Sequence, residues 1–136
     1  MLKNINKKKF SEGFTLVEIL VVLVIVAILA GLSFMAYSIY VDKGRASESQ
    51  ILLKDVAGAS KRYEAVHGGT QTSLDELEAE AYIKLDKALK EKWKIEISGD
   101  LFTATSTDAM EGGAGKELRY NRRDGTFSGY GIQVTE

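Results

Sequence analysis

The 136-residue chain has no cysteine, no proline and a single histidine. Without cysteine, disulfides, thiolate metal sites and thiol catalysis are excluded. That absence does not assign a redox compartment, because extracytoplasmic proteins do not all need bridges. His67 alone leaves too few ligands for an ordinary zinc or copper site. The missing proline removes the strongest helix breaker and permits long uninterrupted helices. Charge of one sign is also lacking, with 18 Lys and Arg against 19 Asp and Glu. That balance conceals an asymmetry. Lys3, Lys7, Lys8 and Lys9 stand against Glu12 alone at the start, so everything after residue 13 is net acidic. No positive surplus remains to neutralise a phosphate backbone, which argues against nucleic-acid binding. The length suits one modest domain, not two.

What the chain does have is a long apolar run. From Phe14 to Val41 the only charged residue is Glu18, and the uncharged stretch Ile19–Val41 is 23 residues long. About 20 residues suffice for a helix to cross a bilayer. A helix apolar on every side cannot be covered by a domain this small, so a membrane or an equivalent apolar assembly must solvate it. Four lysines precede the run, whereas Lys43 and Arg45 after it are offset by Asp42 and Glu48. The positive-inside rule therefore puts the N-terminus in the cytoplasm and the remainder outside. An ordinary secretory signal fits less well. The run is longer than the roughly 7–15 residues of such a segment, and no small-residue cleavage site follows it. A plain signal anchor carrying a ligand-binding or enzymatic head satisfies the same hydropathy.

The junction Glu12-Gly13-Phe14-Thr15-Leu16-Val17-Glu18 is more specific. A short basic leader ending in Gly, followed by Phe-Thr-Leu-Val-Glu and an apolar run, resembles the processing site of type IV prepilins. Type II secretion pseudopilins and competence pilins share it. The resemblance is close from Lys7 to about Glu48, including Tyr37 and Tyr40, and weaker beyond. It implies cleavage between Gly13 and Phe14 by a prepilin peptidase at the cytoplasmic face, then methylation of the new Phe14 amine. Glycine suits the position physically, since it lets a protease approach the backbone and interrupts helix before the run. The lysines hold that bond near anionic lipid. The resemblance further implies a homo-oligomeric helical filament as the product. An inner-membrane assembly platform and a cytoplasmic ATPase are the implied partners, and no cofactor is implied.

Glu18 becomes the fifth residue of the processed chain, about 6 Å along a helix from the new amine. A charge at the bilayer centre costs roughly 2.5–3.5 kcal/mol on insertion scales. By itself Glu18 would snorkel to the headgroups. The resemblance implies a role in assembly for Phe14 and Glu18, with the carboxylate pairing with the amine of another subunit. Transfer of an aliphatic helix from lipid to a filament core gains little, so packing and this pair decide the register.

Beyond the membrane, Leu52, Val56, Ala59, Tyr63 and Val66 recur at spacings of 4, 3, 4 and 3, one face of an amphipathic helix. His67-Gly68-Gly69 supplies a stop, giving one helix from Phe14 to about His67, roughly 80 Å long. Ser73-Leu74-Asp75-Glu76 is a capping-box pattern and predicts a short helix Leu74–Tyr82, with Leu74, Leu77 and Ala81 inward. Leu85–Lys92 is a further helical turn or loop. Strands are predicted over Trp93–Ser98, Leu101–Ser106, Glu117–Asn121 and Thr126–Val134, with turns at Gly99-Asp100 and Arg123-Asp124-Gly125. The expected fold class is α+β, a long helix packed on a three- or four-stranded antiparallel sheet. Residues 1–13 would form a cleaved leader, 14–41 the transmembrane and assembly helix, and 42–136 the head.

Other chemistry is weaker. Asp108, Glu111 and Asp124 could gather oxygen ligands for calcium, but solvated loop carboxylates are the default without an EF-hand spacing. Gly112-Gly113-Ala114-Gly115 is no phosphate loop, since no Gly-Lys-Ser/Thr follows. Arg119, Arg122 and Arg123 with Tyr120 offer a basic aromatic patch, or simply solvent-facing strand positions. No catalytic constellation is evident, and a non-enzymatic chain is expected. Met35 stands where many pilins carry proline, and the tryptophan-glycine signature of major pseudopilins is absent, Trp93 being followed by Lys94. The expected function is that of a structural pilus subunit for adhesion, motility or surface attachment. A type II secretion pseudopilin or a minor or competence pilin is the alternative. The chain would sit in the bacterial inner membrane before assembly, then in an extracellular pilus or a periplasmic pseudopilus.

Overall fold

The computed structural model describes residues 13–69, 71–130 and 132. The leader residues Lys3, Lys7, Lys8, Lys9 and Glu12, and the expected strand end at Val134, lie outside the described residues. The chain divides between Ser38 and Ile39 into two units.

The first unit holds the apolar part of α1 (Leu16–His67). This helix starts two residues later than expected, after Thr15, and runs unbroken through Gly31 and Met35. Every side chain from 13 to 38 is exposed. The segment is long and apolar enough to cross a membrane, and none of it is buried within the chain. Its two serines are already satisfied. Ser33 Oγ donates to the Leu29 carbonyl at 2.7 Å and Ser38 Oγ to the Met35 carbonyl at 2.9 Å. Such back-bonding removes the need for water at those hydroxyls.

The second unit is an α+β head. From Ala46 to Tyr63, α1 buries a face that includes Ser49, Leu52, Leu53, Val56, Ala59 and Ser60. On that face Leu52, Leu53, Val56 and Ala59 belong to the hydrophobic core. Val66, expected on the same stripe, is instead 70% exposed. At this end the cover is aromatic: Tyr63 stacks on His67 at 4.1 Å and meets Tyr82 edge-on at 5.4 Å. The helix then stops at Gly68 and Gly69, both at positive φ, whose amides donate to the Glu64 carbonyl.

Helix α2 (Leu74–Ala79) begins with the expected capping box between Ser73 and Glu76 but ends three residues early. Ala81 adopts φ +60. Its amide donates to the Glu78 carbonyl and that of Tyr82 to the Leu77 carbonyl, the two bonds of a Schellman stop. Ala81 is therefore exposed rather than inward, while Leu77 is fully buried. The stretch expected as helical turn or loop forms α3 (Lys87–Lys92).

Strands β1 (Trp93–Ser98), β2 (Leu101–Ser106), β3 (Glu117–Asn121) and β4 (Thr126–Gly129) make an antiparallel sheet in the order β1-β2-β3-β4. Ser98 pairs with Leu101, so Gly99-Asp100 is a two-residue hairpin loop. Gly99 alone of the two has positive φ, the pattern of a type II′ turn. Phe102, Ala104 and Leu118 are fully buried, as are Leu53, Val56 and Ala59 of α1, and together they form the core with Trp93 and Leu77. β4 stops short of its expected length. Gly129 (φ +91) and Tyr130 (φ +42) turn the backbone out of the extended region, and Ile132 pairs back to Gly129.

Candidate functional site

At the N-terminal end, Thr15 and Glu18 exchange hydrogen bonds. The Thr15 amide donates to Glu18 Oε2 at 2.8 Å, and the Glu18 amide donates to Thr15 Oγ1 at 3.2 Å. This is a capping box, which satisfies two of the amides that a helix start leaves unpaired. Its first consequence is positional. Gly13 and Phe14 lie before the helix, Phe14 is 84% exposed, and among the described residues nothing crowds the position a β-carbon would take at Gly13. The Gly13–Phe14 peptide bond is thus presented as accessible, non-helical backbone. Its second consequence is chemical. The carboxylate of Glu18 is held one residue from the nitrogen of Phe14, with Oε2 engaged by the Thr15 amide. A carboxylate has further acceptor capacity for a cation. Sequence reasoning singled out Gly13, Phe14 and Glu18 and missed Thr15. The signal was present, because Thr-x-x-Glu has the same spacing as the Ser73–Glu76 box.

A second polar cluster lies at the base of the head. Asp42, the first residue after the apolar run, accepts from Lys116 Nζ at 3.1 Å and from the Tyr130 hydroxyl at 3.4 Å. The Lys116 hydrogen bond is the main reason its carboxyl is held below the ordinary value. Arg45 lies 3.8 Å from Asp42 and 3.6 Å from Glu111. That guanidinium lies against Gly112, where a β-carbon would make it shift. Among the Gly-rich loop residues, the Gly113 carbonyl accepts from the buried Ser106 hydroxyl at 2.9 Å. The loop is thus tied back to β2 through this carbonyl.

The calcium candidates are not brought together. Asp124 accepts from the hydroxyl and amide of Thr126, the first of which chiefly lowers its pKa. It shapes the β3–β4 turn. Glu111 faces Arg45, and Asp108 is exposed. Among the described residues no group of three His, Cys, Asp or Glu is placed to hold a metal. The basic aromatic patch is also neutralised. Arg119 pairs with Glu117, Arg123 with Asp100, and Arg122 with both Glu64 and Asp100, while Tyr120 stacks on Phe127 at 4.6 Å.

Residues 8–34 match the family described as the prokaryotic N-terminal methylation motif, a stretch that includes Gly13, Phe14, Thr15 and Glu18. Among curated proteins, the chain is similar to the type IV major pilin protein PilE1 of Neisseria gonorrhoeae. The two are 31% identical over 114 residues, which is 82% of this chain and 59% of that protein. It is also similar to a fimbrial protein of Neisseria meningitidis serogroup A, 29% identical over 121 residues, 85% of this chain and 69% of that protein. The chain thus spans about three-fifths of the length of the gonococcal relative. No solved structure matches.

Proposed function

We propose that this chain is a type IV pilin, a reading supported by its methylation motif and its fimbrial relatives, made as a membrane-inserted precursor that becomes a structural subunit of a pilus. The observation that carries the reading is the pairing of a fully exposed apolar helix with a capped start that leaves Gly13–Phe14 outside it. A prepilin peptidase at the cytoplasmic face cuts that bond and methylates the Phe14 amine. The apolar helix stays on the mature chain, which separates this fate from that of a secretory signal.

Assembly moves the helix from lipid to the company of other copies. Both surroundings are apolar, so hydrophobic transfer contributes little and packing decides. The charge pair sets the register. Glu18 of one copy meets the positive Phe14 amine of another, and methylation keeps that charge. A slipped copy leaves both ions unpaired in a low-dielectric bundle, at a cost of several kcal/mol. An inner-membrane platform and a cytoplasmic ATPase drive the transfer, and the filament serves adhesion, motility or surface attachment. The relatives named above are pilus proteins, which fits a non-enzymatic chain and favours a pilus over a secretion pseudopilus.

Mass spectrometry of the mature N-terminus tests the reading. N-methylated Phe14 is expected, together with sheared surface fibres containing this chain. An intact Met1 on the cell-associated protein would overturn it.

A further inference from the structure

A cleft of about 460 Å³ runs beside α1 where the head begins. Ile39, Lys43, Ser47 and Gln50 line it from the helix, with Asp42 and Ala46 beside them, faced by Tyr130 and Ile132. On the helix the first four follow one another by three or four positions, so they share one face. That face is graded. Ile39 belongs to the apolar run, Lys43 stands one turn higher, about 6 Å along the axis, and Ser47 and Gln50 follow at the next turn. The opposite wall is fixed in place. The Tyr130 ring stands edge-on to buried Trp93 at 6.0 Å, its hydroxyl donates to Asp42, and Lys116 Nζ sits 5.2 Å from its centroid.

The cations around this cleft differ in kind. Arg45 and Lys116 face Asp42 and Glu111. Lys43 is exposed and has no ion-pair partner among the described residues. It is placed where the apolar run ends, at the depth of lipid headgroups when that run is inserted. We infer that the cleft holds the headgroup of an anionic phospholipid at the outer membrane–water boundary. Lys43 and the Gln50 amide above it would engage the phosphate, with the glycerol against Ile39 and Ile132; the Ser47 hydroxyl is committed to the Lys43 carbonyl at 3.0 Å. The inference rests on the membrane-inserted reading given above. It adds a second, lipid-specific hold on the head before assembly, since a lysine at an anionic surface contributes attraction that a neutral lipid does not supply.

Native mass spectrometry of the full chain, released from nanodiscs of phosphatidylcholine with or without phosphatidylglycerol, tests it. Phosphatidylglycerol is expected to be retained over phosphatidylcholine. Lys43→Gln should lower that retention about fivefold, the weight of one lysine at an anionic surface, while Lys84→Gln leaves it unchanged. Equal retention of the two lipids, or equal behaviour of the two variants, overturns the lipid site. Displacement of the lipid by inorganic phosphate alone also overturns it, in favour of a simple phosphate site. A chain that enters neither nanodisc overturns the membrane reading itself, whereas one that enters both without discriminating overturns only the cleft.

Discussion

Arg122 and Asp100 are joined through both side chain and backbone. The guanidinium donates to Asp100 Oδ1 from Nη2 at 2.8 Å and from Nε at 3.2 Å, and the Arg122 amide donates to the Asp100 carbonyl at 2.8 Å. Arg122 Nη1 also reaches Glu64 on α1 at 3.0 Å. One side chain therefore ties the β1–β2 turn and the β3–β4 turn to the helix. Arg122→Ala should destabilise the head by roughly 1–2 kcal/mol, at the low end because Asp100 remains partly solvated. Arg119→Ala, which loses only an exposed pair within β3, should stay within about 0.5 kcal/mol. Thermal unfolding followed through buried Trp93 compares the two, and equal losses would remove the latch.

The same pair makes a pH prediction. The Arg122 hydrogen bond is the main cause that lowers the Asp100 pKa from its ordinary 3.8. A carboxylate with a depressed folded-state pKa stabilises fully above its unfolded value and loses that contribution as pH falls through the folded one. Asp42 and Glu78 are lowered likewise, chiefly by hydrogen bonds from Lys116 and Lys90. Stability is expected to be flat near neutrality and to fall only below about the ordinary carboxylate range. Asp100→Asn should flatten part of that acid limb in melts recorded across it. An unchanged limb would show that Asp100 contributes nothing to it.

Ala81 closes α2 in a left-handed conformation that costs an L-residue roughly 1–2 kcal/mol. Ala81→Gly should therefore stabilise the head by about 1 kcal/mol, read as a raised melting temperature. A lowered one would place the strain elsewhere.

Gly129 is the opposite case. It has φ +91, and a β-carbon there would run into the Glu117 carbonyl. Gly129→Ala should cost about 2 kcal/mol or more, since both backbone strain and collision act against it. Gly113→Ala shares the positive φ but meets open space, so its smaller loss, measured alongside, isolates the collision.

The pairing role proposed for Glu18 can be separated from its place in the cap. Glutamine at the third helical position still completes a capping box but carries no charge. Glu18→Gln should preserve helix content by circular dichroism and N-terminal processing, yet lower filament yield at least tenfold, as several kcal/mol of register selection predicts. Glu18→Val is expected to be processed and to assemble poorly as well. Wild-type fibre yield from Glu18→Gln would remove the charge-pairing mechanism and leave the cap as the sole role.

The strands were legible because alternation and turn residues act locally. Trp93–Ser98, Leu101–Ser106 and Glu117–Asn121 follow from the sequence with the bounds that the structure gives them. The long helix was legible because nothing between Leu16 and His67 breaks it. The end of α2 was not, since the residue taking the left-handed position is Ala81, where glycine would have announced the stop. The end of β4 was misplaced for a related reason: Gly129 and Tyr130 look like strand continuation until the Glu117 carbonyl beneath them is known. Long-range ties such as Asp42 to Lys116 leave no local pattern at all. Of the N-terminal site, Gly13, Phe14 and Glu18 are marked by the resemblance of their junction to a prepilin processing site, whereas the part of Thr15 in the cap is written in the local Thr-x-x-Glu spacing.

Ser33 and Ser38 turn their hydroxyls back onto their own helix, and this has a mechanical consequence. Along that stretch the outward side chains include Phe34, Met35 and Tyr37, and the serine protons are already spent. In the filament proposed above, neither serine offers a donor that could latch one rod to the next at a slipped offset.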